Sequence, residues 1–220
     1  MESSKYPRTP HLPWSLGSTN DDKLMTNVST LLGTDLIISE KVDGSCVCMM
    51  HESCYARTHS GPPTHPSFDA FKSLHANVKF AIPDGIQIFG EWMFALHSIS
   101  YKELPGYFIM FGVRYVAKSM WASWDEVQMW AEELGVPTVP VLCRVSLDSE
   151  RELRELTEGL AAEPSACGGE REGVVARVKR GFLNEEFPKL VAKLVRKDHV
   201  NSNDDHWKRK IVVKNLLKTQ

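Results

Sequence analysis

Apolar positions along this chain fall in short bursts with two spacings, and together they predict strands and helices in mixed order. Strand-like runs rich in β-branched and aromatic residues occupy 35–42, 45–50, 53–57, 86–94, 107–116, 138–145, 172–178 and 188–200. Helical spacing links Leu24, Val28 and Leu31, with Asp21 or Asp22 as cap and Gly33 as stop. It also links Phe68, Phe71, Leu74 and Val78; Val127, Trp130 and Leu134; and Leu153, Leu156 and Leu160. Ser123-Trp-Asp-Glu126 has the pattern of a capping box. Pro7, Pro10, Pro13 and Gly17 predict an irregular arm over 1–20, and Asn203 to Asp205 open a basic terminal helix with Trp207, Ile211 and Leu217. Strands and helices do not alternate regularly, which predicts an α+β fold with antiparallel sheets.

Composition narrows this only slightly. The 220 residues and 42% hydrophobic content suit one domain with a sizeable core. The formal charge of −2 gives no overall basic field, but eight Lys/Arg against three Asp from Lys193 onward make a basic carboxyl end, which fits either a polyanion track or a solvated face. Five cysteines without a Cys-x-x-Cys pair read as small buried hydrophobes in a reducing compartment. The polar, proline-rich start shows no signal peptide or membrane span, so the expectation is a cytoplasmic or otherwise intracellular protein that is not secreted. The eight histidines match no common zinc spacing.

The strongest candidate chemistry lies at Ser39-Glu-Lys-Val-Asp-Gly-Ser45, where Lys41 and Asp43 follow an apolar run and precede Gly44. A strand puts residues i and i+2 on one face, so Lys41 and Asp43 are expected to share a cleft. Gly44 permits close approach to a ligand or a sharp turn. A lysine amine is nucleophilic only when neutral, which requires a site that depresses its pKa. This arrangement suits covalent chemistry at phosphorus.

Four further motifs follow: Phe89-Gly90-Glu91, Phe108-Ile-Met-Phe111-Gly112-Val113, Glu172-Gly173-Val174-Val175 and Val191-Ala192-Lys193-Leu194-Val195-Arg196-Lys197. In this order they resemble the motif series of the covalent nucleotidyltransferases, the superfamily of polynucleotide ligases and mRNA capping enzymes. The stretch Lys193-x-x-Arg196-x-x-His199-Val200, followed by His206-Trp207, is similar to that of RNA ligases, as is the amino end from Tyr6 to Trp14.

The resemblance implies an adenylyltransferase domain over 1–200, an ATP-grasp-like α+β fold of antiparallel sheets flanked by helices, with nucleotide in the cleft between sheets. It implies ATP-dependent joining of RNA 5′-phosphate and 3′-OH ends through a lysyl-AMP intermediate and an adenylylated RNA 5′ end. Lys41 would be the nucleophile, with Glu40, Asp43 and Gly44 beside the nucleotide and Glu40 helping to read the adenine amino group. Glu172 would hold Mg2+ or Mn2+, and Lys193 would contact phosphate and lower the Lys41 pKa. Glu91 would bind the ribose hydroxyls, Arg57 ribose or phosphate, and Phe111 would stack on adenine, with Phe108 as the alternative in that strand. Either Lys197 or Arg196 would supply the second cation. Arg8, His11 and Arg196 are candidates for holding RNA, whose 2′-hydroxyl separates it from DNA.

After Lys197 only 23 residues remain, too few for an OB-fold barrel, so the segment 201–220 is expected to be a basic helical appendage. That length also fits a piece of a larger ligase, or a chain working with an additional RNA-repair protein. Two alternatives stay open: a minimal DNA ligase or capping-type core, and a protein that binds RNA ends without sealing them.

Overall fold

The computed structural model describes residues 5–18, 22–58, 60–196 and 212–219. Among the described residues ten strands form two antiparallel sheets, and the architecture is α+β. The six-stranded sheet runs in the order β3 (Cys54–Ala56), β2 (Ser45–Met49), β4 (Ile86–Trp92), β5 (Phe108–Tyr115), β6 (Met120–Trp121) and β9 (Phe182–Leu183). The four-stranded sheet runs β10 (Val191–Val195), β8 (Gly173–Val178), β1 (Leu36–Lys41) and β7 (Val141–Val145).

Helix α1 (Asp69–Val78) and helix α2 (Trp124–Glu133) pack on the six-stranded sheet through Phe71, Val127 and Ala131, in a core that includes Ile88, Trp92, Phe108 and Val113. Helix α3 (Glu150–Ala162) and the single turn α4 (Phe187–Leu190) contribute Leu153, Ala161, Phe187 and Leu190 to a second core under the four-stranded sheet. The predicted capping box opens α2: the Glu126 amide donates to Ser123 Oγ at 3.3 Å, and the Ser123 amide donates back to Glu126 Oε2 at 2.8 Å. Ser149 and Glu152 repeat the motif at α3.

Two expectations are corrected. Residues 22–32 contain no α-helix, only the short turn Ser29–Leu31. Leu24 is exposed and pairs with His11, whereas Met25, Val28 and Leu31 are buried. Asn27 Oδ1 accepts the Ser29 amide at 2.6 Å, a local bond that competes with continued helix. The amino arm is ordered by the sheet edge: Leu12 N donates to Lys193 O at 2.8 Å and Lys193 N to Pro10 O at 2.9 Å, so the arm covers β10. Residues 212–219 are extended rather than helical, with Lys214 bridged to Ala95 and Leu217 to Leu104. The rest of the expected terminal helix, including Trp207 and Ile211, lies outside the described residues. Among the described residues no helix is long and apolar enough to cross a membrane.

Candidate active site between the two sheets

Strand register builds one wall of the site. Across β1, β8 and β10, Lys41 stands opposite Gly173 and then Val195; Ser39 stands opposite Val175 and then Lys193; Ile37 stands opposite Arg177 and then Val191. Directly opposed residues in antiparallel strands share a face, and so do rows two residues apart. Ser39, Lys41, Val175, Arg177, Val191 and Lys193 accordingly line one cavity of about 1220 Å³. The cavity exceeds the range of about 300–1,000 Å³ typical of small-molecule sites, so a nucleotide would leave room for more. Gly173 makes this wall possible, since a Cβ there would run into the Leu194 carbonyl of β10.

The facing wall comes from the six-stranded sheet and the loop after β3: Cys46, Arg57, Glu91 and Phe111 line it, and Arg8 of the amino arm borders it. β5 carries a bulge here. Phe89 pairs with Gly112 and Gly90 with Met110, leaving Phe111 as the extra residue turned toward the cavity. Phe108 packs instead in the core, its ring centroid 6.0 Å from that of Phe71. Of the two aromatics, Phe111 alone reaches the cavity.

Lys41 Nζ donates to Glu172 Oε2 at 2.6 Å; the lysine side chain is 25% exposed and the glutamate 8%. Burial works against the charged amine, but Glu172, Glu91 and Asp43 outweigh it, and the Lys41 pKa is raised. The depressed pKa expected of a nucleophile is therefore not a property of the protein without its ligands. Lys193 behaves as expected of a crowded cation: burial first, then Lys41, lower its pKa, while Asp22 partly offsets this from 3.7 Å. Glu91 is pushed up to about 8, chiefly by burial, with Lys41 opposing and the Glu172 and Asp43 carboxylates adding to the rise.

Several predicted site residues have structural partners instead. β1 ends at Lys41, so Asp43 no longer alternates with it. Asp43 Oδ2 accepts from Ser98 N at 2.9 Å, Ser98 Oγ at 2.6 Å and Ile99 N at 3.2 Å, fixing the loop after β4. Gly44 borders the cavity, but its close neighbours are protein: a Cβ would lie 2.8 Å from the Trp92 carbonyl. The Glu40 carboxylate takes bonds from Ser165 Oγ and from the Ala166 amide at 2.9 Å, with Arg171 Nε 3.4 Å away. It holds the loop before β8, and Glu40 also borders the cavity.

His11 is 1% exposed, bonded through Nδ1 to Ser15 Oγ at 2.7 Å, with burial lowering its pKa to about 4. It is part of the arm's packing rather than an RNA-facing group. Arg196 pairs with Glu170 at 2.8 Å and lies outside the cavity lining. Lys197, His199, Val200 and His206 lie outside the described residues.

Reasoning from sequence missed Tyr6, Ser39 and Arg177 in the cavity wall. Arg177 is the instructive case: it is 6% exposed and donates from Nη2 to Ala122 O at 2.8 Å, and its charge in an apolar strand was the available signal.

The Glu172 carboxylate beside Lys41, in a partly dry site where the Glu91 carboxyl adds like charge, fits a hard divalent cation. Among the described residues, a convergence of three ligand-type side chains occurs only outside this cavity, at His51, Glu52 and Asp84. An ion at Lys41 would depend on few protein ligands and on phosphate oxygens, as magnesium commonly does.

Two antiparallel sheets enclosing a lysine, two carboxylates and a second lysine define a nucleotidyltransferase-type domain. The family model described as RNA ligase matches residues 34–195, and the chain belongs to the RNA ligase family. Solved structures of Naegleria gruberi RNA ligase share the fold. A variant without ligand is 16% identical with a TM-score of 0.60, the match covering 92% of this chain and 58% of that one. A variant with AMP and Mn is 16% identical with a TM-score of 0.58, covering 83% and 55%. The ligase with PPi is 16% identical with a TM-score of 0.59, covering 93% and 64%. The chain thus spans less than two thirds of the length of each. No curated protein sequence matches it.

Proposed function

We propose that this chain is the adenylyltransferase domain of an ATP-dependent RNA ligase. The observation that carries the reading is Lys41 on the cavity wall, bonded to Glu172 and sharing a sheet face with Lys193, in a member of the RNA ligase family. Solved ligases of the same fold hold AMP or ATP with Mn, or PPi.

In this reading Lys41 Nζ attacks the α-phosphorus of ATP. A phosphorus–nitrogen bond forms, the bond to the β-phosphate oxygen breaks, and pyrophosphate leaves. The ammonium must first lose its proton. Any contact that draws Glu172 away from Lys41 removes the strongest of its charge-stabilising partners and leaves burial to weigh against the Glu91 and Asp43 carboxylates alone. Glu172 would hold Mg2+ or Mn2+, which would supply charge neutralisation for phosphate oxygens. Phe111 offers its ring to adenine, Glu91 its carboxyl to ribose, and Arg57 and Lys193 their charge to phosphate. AMP then passes from Lys41 to an RNA 5′-phosphate, and a 3′-hydroxyl displaces it as the ends join. Arg8 borders the mouth where RNA would enter.

The test is intact-mass spectrometry after incubation with ATP and Mn2+ or Mg2+. One added AMP is expected on the wild type and none on Lys41→Ala. An unmodified wild type, under conditions where a known ligase is labelled, overturns the reading. Sealing of 5′-phosphorylated RNA against DNA, and labelling with GTP against ATP, separate an RNA ligase from the DNA-ligase and capping alternatives.

A further inference from the structure

The segment 212–219 is held in a way that inverts ordinary packing. Its apolar Val213, Leu216 and Leu217 are 45–60% exposed, while Asn215 is fully buried. Asn215 saturates its amide: Oδ1 accepts from Tyr101 N at 3.0 Å, and Nδ2 donates to Met93 O at 2.9 Å and Ala95 O at 3.4 Å. Its backbone carbonyl accepts from Tyr107 Oη at 3.2 Å, and its amide donates to Phe94 O at 3.1 Å. Leu216 N donates to Tyr101 O at 2.9 Å and Leu104 N to Leu216 O at 3.0 Å. The segment is a strap over the loop 93–104.

That loop touches the residues after Lys41 twice. Tyr101 Oη accepts the Asp43 amide at 2.9 Å, and Ser98 holds the Asp43 carboxylate. A continuous chain of hydrogen bonds therefore runs from Asn215 through Tyr101 to the backbone two residues beyond Lys41. Buried polar groups so fully paired tolerate little displacement, since any shift leaves a donor or acceptor bare.

We propose that Asn215 is a positioning residue for Lys41: the strap holds loop 93–104 in the one arrangement that aims the Lys41 amine, although it is remote from the cavity lining. The proposal rests on the reading of Lys41 as the adenylylated residue. Its functional signature is a loss in the chemical step with nucleotide binding intact, because no strap residue lines the cavity.

The test compares Asn215→Ala, Tyr101→Phe and the double variant in single-turnover adenylylation across a range of ATP concentrations. Tyr101→Phe deletes the hydroxyl alone and keeps the ring. Each single variant should lower the limiting rate by about tenfold or more, the scale expected of a small misplacement of reacting groups, with the half-saturating ATP concentration unchanged. The double variant should lose no more than the worse single variant, as residues acting in series do. Hydrogen exchange at the Asp43 amide should quicken in Asn215→Ala relative to core amides of β4 such as Ile88.

A folded Asn215→Ala with wild-type rate and wild-type Asp43 exchange overturns the proposal, as do losses that multiply in the double variant. If Asn215→Ala does not fold, Tyr101→Phe decides: a wild-type limiting rate, or a change confined to ATP saturation, overturns it. If even the wild type takes no AMP, the adenylylation reading falls, and the exchange measurement alone decides whether the strap holds Asp43.

Discussion

Glu91→Gln offers a quantitative check on the charge environment of the cavity. Glu91 lines the cavity beside Lys41, and burial raises its carboxyl from the ordinary 4.5 to about 8. A carboxyl with a folded pKa above its unfolded value binds its proton more tightly in the folded state. Its contribution to stability is complete below the unfolded value and is lost as pH rises through the folded one. The displacement from 4.5 to about 8 corresponds to about 5 kcal/mol, and because Glu91 retains partial contact with the cavity this is a ceiling. The amide introduced by Glu91→Gln has no such titration. Urea unfolding of both proteins at closely spaced pH values should show the wild type losing several kcal/mol relative to the variant between roughly pH 5 and pH 8. A difference that stays flat across that window, or grows with pH, would refute the claim that Glu91 is buried against its charge.

Three further outcomes follow from the same geometry. Glu172→Gln removes a charge-assisted bond worth about 1.5–3 kcal/mol and should lower the Lys41 pKa; peptide-mapped acetylation of Lys41 should then be faster than in wild type at mildly alkaline pH, and equal or slower labelling contradicts the role given to Glu172. Phe111→Leu should raise the half-saturating ATP concentration by about tenfold, the scale of a lost ring contact, whereas Phe108→Leu should lower stability by about 1–3 kcal/mol and leave ATP saturation unchanged; the reverse pattern would exchange their roles. Gly173→Ala forces a Cβ against the Leu194 carbonyl and should cost at least about 1–3 kcal/mol in denaturant unfolding, and an unaltered midpoint would show that β8 and β10 can part without penalty.

Much of the fold was legible along the chain because its cues are local. Hydrophobic spacing located most strands within a few residues, and Ser123 with Glu126 marked the start of α2 through a bond spanning three positions. The errors arose where distant chain competes with local preference. Leu24 shares the helical spacing of Val28 and Leu31, yet pairing with His11 draws its backbone into an extended bridge. Leu217 sits in a segment that reads as helix, but its backbone finds partners on the loop after β4.

The site divides in the same way. Lys41, Glu91, Phe111 and Lys193 all meet at one cavity, and Glu172 reaches it through Lys41. Residue order along the chain determined the strand faces, the capping boxes and the glycine that β8 needs, since each depends on backbone geometry over a few neighbours. Only tertiary structure decided which charges meet. Lys41 and Glu172 are 131 residues apart in the chain, yet their charged atoms lie 2.6 Å apart, and their closeness, with Glu91, reverses the pKa direction that burial alone would give. It also turned Asp43, Glu40 and His11 inward to protein partners. Electrostatic and hydrogen-bond energies depend on separation in space, and that separation exists only once the two sheets have closed around the cavity.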